Sequence, residues 1–258
     1  MDPWDVIRKA SRDRRSGAAE IAVAAARSVS MLDGKREIMR AARMLLRAHP
    51  AMAPLWNLFA AALAGDDVDA FSVRLSAETD SVAHAAVWAI GRRAVVLTHS
   101  SSSSVVAALR KARKRIDTVL CCESRPGGEG RTLARRLGKD GFVVEVVPDA
   151  AVVQAAERAD VVLVGADAVT EDGCVNNIGT YSVALAAREL GTPCYALAGT
   201  TKFIVRDVWA LVSAPLFEQT PIALFDGVVS ERGVLSAAAV RRAVRKVEIP
   251  SELMKVIR

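Results

Sequence analysis

Polar side chains follow each of five short apolar segments from residue 94 onwards, where their types could support chemistry on a ligand. Ser100 follows the first segment, Asp167 ends the fourth, and Lys202 comes shortly after the fifth. The segments are "AVVLTH" (94–99), "DTVLCCE" (117–123), "FVVEVVP" (142–148), "ADVVLVGAD" (159–167) and "PCYALAG" (193–199). In an open parallel sheet, ligands bind beyond the carboxyl ends of the strands. This edge combines hydroxyl, carboxylate and cationic groups with helix amino termini, which suits a small anionic molecule such as a phosphate.

Each of these residues also has a purely structural interpretation. The serine run 100–104 is typical of a helix cap with a solvated turn, and Asp167 is typical of an ordinary turn. His99 has the features of a buried structural histidine, and Cys174 those of a small buried hydrophobic residue. The turn "PGGEG" (126–130) matches neither the dinucleotide fingerprint nor the P-loop. The residue pattern therefore favours an anionic ligand without identifying it.

Strands and helices in alternation must position these residues. Short apolar segments separated by helical stretches predict βαβ units and a parallel sheet that is buried on both faces. Before residue 92, Ala, Leu, Met and Arg recur at helical spacing, and breaks such as Asp33-Gly34 and His49-Pro50 divide this part into four or five helices. We therefore predict an α/β fold with a helical amino-terminal domain (1–91) and a parallel-sheet domain (92–258).

Composition excludes several other classes of protein. Hydrophobic residues make up 52% of the 258 residues, which excludes a disordered chain, and the four cysteines favour neither a disulfide scaffold nor a zinc site. The sequence has 35 basic and 29 acidic residues, but the basic ones are spread along it and only 5% of residues are aromatic, which disfavours nucleic acid as a partner. The sequence shows neither a signal peptide nor an apolar stretch near the ~20 residues of a membrane span. We expect a cytoplasmic protein with reduced thiols, no metal, no cofactor and no membrane association.

Several long motifs match a known family. They are "CCESRPGGEGRTLARRL", "VVPDAA", "VLVGADAVTEDGCVNNIGTYSVALAARELGTPCYALAGTTKF" and "PLFEQTP", and the match begins at "DRRSGAAEIA" (13–22). With these motifs the sequence resembles the translation initiation factor 2B α/β/δ-subunit family, which also contains ribose-1,5-bisphosphate isomerase and methylthioribose-1-phosphate isomerase. The resemblance implies a helical domain on a Rossmann-like domain, dimerisation through the latter, and a sugar-phosphate pocket between the two.

The isomerases of this family interconvert an aldose phosphate and a ketose phosphate, which requires an acid/base pair near two adjacent carbons. The resemblance assigns this role to an aspartate that matches Asp167 and to a cysteine whose position is occupied by Ser100. A thiol titrates near about 8.5 and can exchange protons at neutral pH, whereas a serine hydroxyl needs a separate base. His99 is adjacent, but neighbouring side chains of a strand point to opposite faces, so we do not expect it to serve Ser100.

The resemblance also implies a set of substrate-binding positions. These fall on Arg15, Gly17, His49, Arg125, Glu129, Asn176, Asn177 and Lys202. The isomerases carry Arg-Gly-Ala at 16–18, Arg-Pro at 49–50, Gln at 129 and Asn-Lys at 176–177. This sequence therefore replaces two cations that face phosphate, displaces a third to Arg15, and places an acidic group at Glu129.

Two main hypotheses follow for the function. The first is a regulatory, initiation factor 2B-like protein that binds a sugar phosphate or nucleotide-like phosphate, has lost the standard isomerase activity, and forms a homodimer or larger oligomer. The alternative is an active aldose–ketose isomerase with a changed substrate, using Asp167 with Ser100 or Cys174. A third, weaker hypothesis is direct nucleic-acid binding by the basic helices. The missing cysteine and the replaced cations favour the first.

Overall fold

Five helices precede the central sheet, in agreement with the sequence analysis. The computed structural model describes residues 2–14 and 16–257, and these helices are α1 Pro3–Arg12, α2 Ala18–Val29, α3 Gly34–Ala48, α4 Ala53–Ala64 and α5 Val68–Ala86. Their ends follow local signals, since Asp2 accepts the amide of Trp4 at 3.0 Å and α4 ends at Gly65 with a φ of 82°. The apolar faces of α1–α4 and the first half of α5 form one core around Trp56 and Phe59.

The central sheet is mainly parallel, as predicted. In chain order, the strands of the described part are β1 Ala94–Thr98, β2 Ile116–Cys122, β3 Val144–Val147, β4 Val161–Gly165, β5 Ala168–Val169, β6 Gly173–Asn177, β7 Cys194–Leu197, β8 Phe217–Pro221, β9 Gly227–Ser230 and β10 Gly233–Leu235. Seven of them form the central sheet in the order β10-β9-β7-β4-β1-β2-β3, in which β10 is antiparallel to β9 and the other neighbours are parallel.

Helices cover both faces of this sheet. Those that lie against it are α6 Ser103–Lys111, α7 Glu129–Lys139, α8 Val152–Arg158, α9 Thr180–Leu190 and α11 Ala237–Val244. Two short helices, α10 Arg206–Trp209 and α12 Ser251–Met254, pack instead on the core of α1–α5. The end of α5 packs with α6 and α7 in one apolar core, and α8, α9 and α11 pack in another. Every residue of β4 is buried, which is why its sequence is continuously apolar. The predicted α/β class with a helical amino-terminal part is confirmed.

A second, antiparallel sheet was not predicted. It has the order β5-β6-β8, and its register pairs Cys174 with Thr220. The segments "GCVNN" and "FEQTP" lack the apolar alternation of a strand, and they pair only because the fold brings distant parts of the chain together. Cys174 therefore lies in a strand and is fully buried, in agreement with its interpretation as a small buried hydrophobic residue and against the alternative that uses it for catalysis.

The last described residues return to the helices at the start of the chain. Leu253 and Val256 are buried in the core of α1–α5, and Lys35 forms an ion pair with Glu252 at 2.9 Å. The Nε–H of Arg47 donates to the carbonyl of Val256 at 2.9 Å. The chain therefore connects the helical part to the sheet part twice, once after α5 and once through the segment that contains α12. Among the described helices, none has the length and apolarity needed to cross a membrane.

Candidate functional site

A cavity of about 410 Å³ lies between the first helices and the carboxyl edge of the central sheet. Eight positions singled out in the sequence line it, namely Gly17, His49, Ser100, Glu129, Asp167, Asn176, Asn177 and Lys202. Arg125 does not line it, and Arg15 lies outside the described residues. The fold therefore brings together positions that are spread over most of the sequence.

The cavity lies at the point where the strand order of the sheet changes direction. β1 is flanked by β2 on one side and by β4 on the other, and Ser100 and Asp167 come shortly after the ends of the adjacent strands β1 and β4. Open α/β sheets bind ligands at such a point. Gly165 at the end of β4 lets the Ser102 turn pack against it, because a Cβ at this position would lie 2.4 Å from that of Ser102.

Ser100 is held as a hydrogen-bonding group. Its φ is 61°, in the left-handed region, and its amide donates to Oγ of Ser124 at 2.7 Å. Its own Oγ accepts from Nδ2 of Asn177 at 2.7 Å, which leaves the hydroxyl proton for a ligand. No base is placed to deprotonate it among the hydrogen bonds of the described residues, so the geometry suits donation to an anion rather than nucleophilic or acid/base work.

His99 is a structural partner of this arrangement. Its Nε2 lies 2.9 Å from the carbonyl of Ile178, and its Nδ1 lies 3.4 Å from Oγ of Ser124. Burial lowers the pKa of His99, and a neutral imidazole that donates through Nε2 leaves an unprotonated Nδ1 facing the Ser124 hydroxyl, which also lies 3.2 Å from the carbonyl of Cys122. A Cβ on Gly179 would lie 2.6 Å from the ring. His99 therefore joins the end of β1 to the turn before α9, and it does not act on Ser100.

Asp167 and Lys202 form the charged floor of the cavity. Asp167 is half-buried, and burial raises its pKa to about 6, against the opposing effect of the Lys202 charge. Burial also lowers the pKa of Lys202, whose Nζ donates to the carbonyl of Ala166 at 2.5 Å. No side-chain hydrogen bond to the Asp167 carboxylate occurs within residues 2–14 and 16–257. The carboxylate is thus available to a ligand hydroxyl and can exchange a proton near neutral pH.

The helical part of the chain supplies two cations that the sequence analysis missed, one from the α1–α2 connection and one from α3. Arg14 and Arg47 line the cavity beside His49 and the amino terminus of α2 at Gly17. Nε2 of His49 lies 2.8 Å from the carbonyl of Ala10, and burial lowers the pKa of this imidazole, so it is neutral. Arg47 precedes the His49-Pro50 break by two residues, and this closeness was the only signal available in the sequence. The cavity therefore holds more positive charge than the motif comparison implied.

Two candidate residues lie away from the cavity. The side chain of Arg125 is 65% exposed and lies 3.7 Å from a carboxylate oxygen of Glu123. Its amide, with that of Ser124, donates to Asp149, so the segment turns Arg125 outward. Cys174 is fully buried in β6, and burial raises the pKa of its thiol to about 12, which removes it as an acid/base group.

One cluster has the composition of a metal site. Ligand atoms of His99, Cys122 and Asp149 lie within 4.8 Å of one another. Each is already engaged, because the imidazole bonds Ser124 and Ile178, Asp149 accepts two backbone amides, and burial raises the pKa of the Cys122 thiol to about 12. We interpret the cluster as a hydrogen-bonded support for the loop after β2.

Comparison with known proteins establishes the family. Residues 14–210 match the model of the Initiation factor 2 subunit family, and this chain belongs to that family. A protein of Pyrococcus horikoshii named as translation initiation factor eIF-2B subunit 2-like is 30% identical over 262 residues, which cover 90% of this chain and 95% of that protein. The ribose 1,5-bisphosphate isomerase of Methanocaldococcus jannaschii is 28% identical over 238 residues, which cover 78% of this chain and 77% of the isomerase.

Solved structures agree with the fold. The crystal structure of the translation initiation factor eIF-2B of Pyrococcus horikoshii matches with a TM-score of 0.80 at 30% identity, covering 90% of this chain and 96% of that one. The 5-methylthioribose 1-phosphate isomerase of the same organism matches with a TM-score of 0.68 at 21% identity, covering 99% of this chain and 88% of that one. The second likeness supports the fold alone.

Proposed function

We propose that this protein binds a sugar phosphate, or a nucleotide-like phosphate ligand, in the cavity between its helices and its sheet, and that it does so as a regulatory protein without the standard isomerase activity. The observation that carries the proposal is the pairing of two kinds of groups in one cavity. Arg14 and Arg47 suit a phosphate, because a guanidinium presents a planar fork of donors. Asp167 and Asn176 suit sugar hydroxyls, because they accept or donate hydrogen bonds.

Ser100 supports the absence of isomerase activity. Its hydroxyl accepts from Asn177 and has no base beside it in the described part of the chain. An aldose–ketose conversion needs a second group that exchanges protons at neutral pH, and a serine in this setting does not supply one. A relative with a similar sequence, from Methanocaldococcus jannaschii, is named as a ribose 1,5-bisphosphate isomerase. Because one fold can host different functions, the presence or absence of this activity depends on individual residues rather than on the fold.

An active isomerase with a changed substrate is the second candidate. Asp167 favours it, since a pKa of about 6 allows this carboxyl to act as an acid or a base near neutral pH. Cys174 no longer contributes to this alternative, because it is buried away from the cavity. The alternative then depends on Asp167 together with a group brought by the substrate or by solvent.

Ligand binding is tested by thermal shift with ribose 1,5-bisphosphate, methylthioribose 1-phosphate and adenosine monophosphate. We expect at least one of them to raise the melting temperature, since a ligand present at 100 times its Kd stabilises a folded protein by about 2.7 kcal/mol. Arg47→Gln is expected to reduce the shift, because it removes a cation from the cavity. Arg125→Gln is the matched control and should leave the shift unchanged. No shift with any of these ligands would contradict the proposal.

Ser100→Cys tests the catalytic part of the proposal. We expect the variant not to convert ribose 1,5-bisphosphate, because Arg125 points away and the cation pattern of the cavity differs from that implied for the isomerases. The measurement is product formation by ³¹P NMR, with unmodified protein as the control. Robust conversion by the variant would show that only the thiol was missing.

A further inference from the structure

A second cavity, of about 620 Å³, shares one turn of the chain with the first. Thr200 and Thr201 line the second cavity, and the next residue, Lys202, lines the first. These three residues form a single turn of 3₁₀ helix after β7. Whatever fixes this turn therefore also fixes the cation on the floor of the ligand cavity.

Glu78 of α5 holds the turn from the second cavity. Its side chain is only 5% exposed, and its Oε2 accepts from the amide and the hydroxyl of Thr201 at 3.2 and 2.6 Å. Gly199 makes this approach possible, because a Cβ there would lie 2.4 Å from Oε2 of Glu78. Sequence patterns gave no sign of this contact, since Glu78 lies on a helix far from the turn in the chain.

The number of protons available at the Thr200 hydroxyl favours a protonated, neutral Glu78. Oγ1 of Thr200 lies 2.7 Å from Oε1 of Glu231 and 3.2 Å from Oε1 of Glu78. A hydroxyl has one proton to donate, and the shorter contact assigns it to Glu231. The longer contact would then join two acceptors, unless Glu78 carries a proton and donates it to Thr200.

The balance of charge leads to the same result. Lys202 is the buried cation of this region, and it interacts with both Asp167 and Glu78. If both carboxyls were ionised, they would compete for one ammonium group, and Glu231 would add a further negative charge beside Glu78. A neutral Glu78 leaves the Lys202 charge to Asp167 and to a ligand. Burial, together with the nearby charge of Glu231, raises the pKa of Glu78, which also favours the neutral acid. Arg232 pairs with Glu231, since its Nε lies 3.4 Å from Oε1 of that carboxylate, and it has no such contact with Glu78 among the described residues. The charged groups further along this cavity are Arg74, Asp66 and Glu248.

We propose that Glu78 is a positioning residue for the ligand cavity, held as the neutral acid that donates to Thr200 and accepts from Thr201. Its proton completes a chain from Glu78 to Thr200 to Glu231, and this chain holds the turn that carries Lys202. The protonation state rests on the hydrogen-bond geometry and on the charges around Glu78, whereas the consequence for the ligand rests on the function proposed above.

The first test is urea unfolding of the wild type and Glu78→Gln between pH 5 and 8. Glutamine has the shape of the neutral acid and can donate to Thr200, so we expect similar midpoints at pH 5. A folded state that retains a proton on Glu78 loses stability as the pH rises above the ordinary carboxyl pKa, so the wild-type midpoint should fall relative to that of Glu78→Gln. A variant that becomes less stable than the wild type as the pH rises would overturn the proposal, because Glu78 would then be ionised.

Glu231→Gln is the matched control for this comparison. Glu231 accepts from both the amide and the hydroxyl of Thr200, so its amide variant loses an acceptor and should unfold at lower urea at every pH. If Glu78→Gln does not fold, hydrogen exchange of the wild-type segment 199–203 decides the question. We expect its protection, corrected for the intrinsic rate, to fall as Glu78 ionises, and constant protection up to pH 9 would overturn the proposal.

The second test measures binding of ribose 1,5-bisphosphate to the variants. We expect Glu78→Gln to bind within about threefold of the wild type, and Glu78→Ala to bind at least about tenfold more weakly, because the alanine variant removes the acceptor of Thr201 and the donor to Thr200. Equal binding by Glu78→Ala would show that Glu78 does not position the cavity. If the wild type binds none of the sugar phosphates, the proposed function fails, while the urea comparison still decides the state of Glu78.

Discussion

Asp167 and Lys202 determine which chemistry the cavity floor can support. The carboxyl has a pKa of about 6 and no hydrogen-bonding side chain within the described residues, and the ammonium group is anchored on the carbonyl of Ala166. A half-buried carboxyl near a buried cation costs stability, and a functional role explains why the protein retains both groups. At the residue scale, the pair is therefore the strongest sign that the cavity has a ligand.

Replacing Asp167 with Asn tests its raised pKa. Because the folded state holds this proton more tightly than the unfolded state, the wild type loses stability as the pH rises from 3.8 to about 6. We expect this part of the pH dependence to disappear in Asp167→Asn, measured as the difference between the two free energies of unfolding. The comparison is made in the Glu78→Gln background, because Asp167 and Glu78 both interact with Lys202 and the titration of Glu78 would otherwise differ between the two proteins. A difference that is independent of pH in this range would contradict the assigned pKa.

The turn before α9 links the residues of the cavity to the elements that carry them. Asn177 reaches Ser100, Ile178 is bonded by His99, and Gly179 has a φ of 100° directly against the imidazole. The arrangement leaves no space for a side chain at Gly179. The turn therefore requires glycine at position 179 for two reasons: the positive φ of this residue, and the imidazole of His99 that occupies the place of a Cβ.

Gly179→Ala is expected to destabilise the protein and to weaken ligand binding. Gly191 at the other end of α9 is the matched control, because it also has a positive φ, 71°, but a Cβ there would meet nothing within 4 Å. Backbone strain of about 1 kcal/mol is common to both variants. Only Gly179→Ala adds the clash with His99, so urea unfolding should show the larger loss for it. Equal losses of unfolding free energy in the two variants would mean that the clash with His99 does not contribute to the destabilisation.

Much of the element order could be predicted from the sequence, and the limits have a physical cause. β4 is apolar throughout and buried on both faces, β1 is apolar up to Thr98, and the polar residues that follow these strands, Ser100 and Asp167, line the cavity. β6 and β8 carry no such pattern, because they depend on pairing with each other across the fold. Arg14 and Arg47 reach the cavity only through the packing of helices against the sheet, which no local pattern encodes.

The charge of the whole molecule is unevenly distributed. Residues 1–50 contain eleven basic and six acidic side chains, whereas residues 51–258 contain 24 and 23. Arg36, Arg40, Arg43 and Arg47 are exposed at helical spacing on one face of α3, and the last of them lines the cavity. Within the helical part the excess of positive charge is therefore confined to residues 1–50, beside the cavity, where it favours the approach of an anionic ligand.

We expect the molecule to be a homodimer or a larger assembly. Tyr181 and Leu185, one turn apart on α9, are 40% and 47% exposed, and Leu216, near the amino terminus of that helix, is 47% exposed. Leu185→Glu should lower the mass measured by light scattering at micromolar concentration, because a charge cannot be buried unpaired in an apolar interface. Val73→Glu, on the exposed face of α5, is the control and should not change it. A monomeric mass for the wild type would refute the expectation.

Phosphate binding without isomerisation is tested most directly by ³¹P NMR spectra of ribose 1,5-bisphosphate, methylthioribose 1-phosphate and adenosine monophosphate with the wild-type protein. We expect the resonances of at least one of them to broaden or shift on binding, more weakly with Arg47→Gln, and no ketose phosphate resonance to appear. Formation of the ketose phosphate would contradict the regulatory assignment and establish the isomerase. Unchanged spectra for both compounds and for adenosine monophosphate would contradict the phosphate-binding cavity itself.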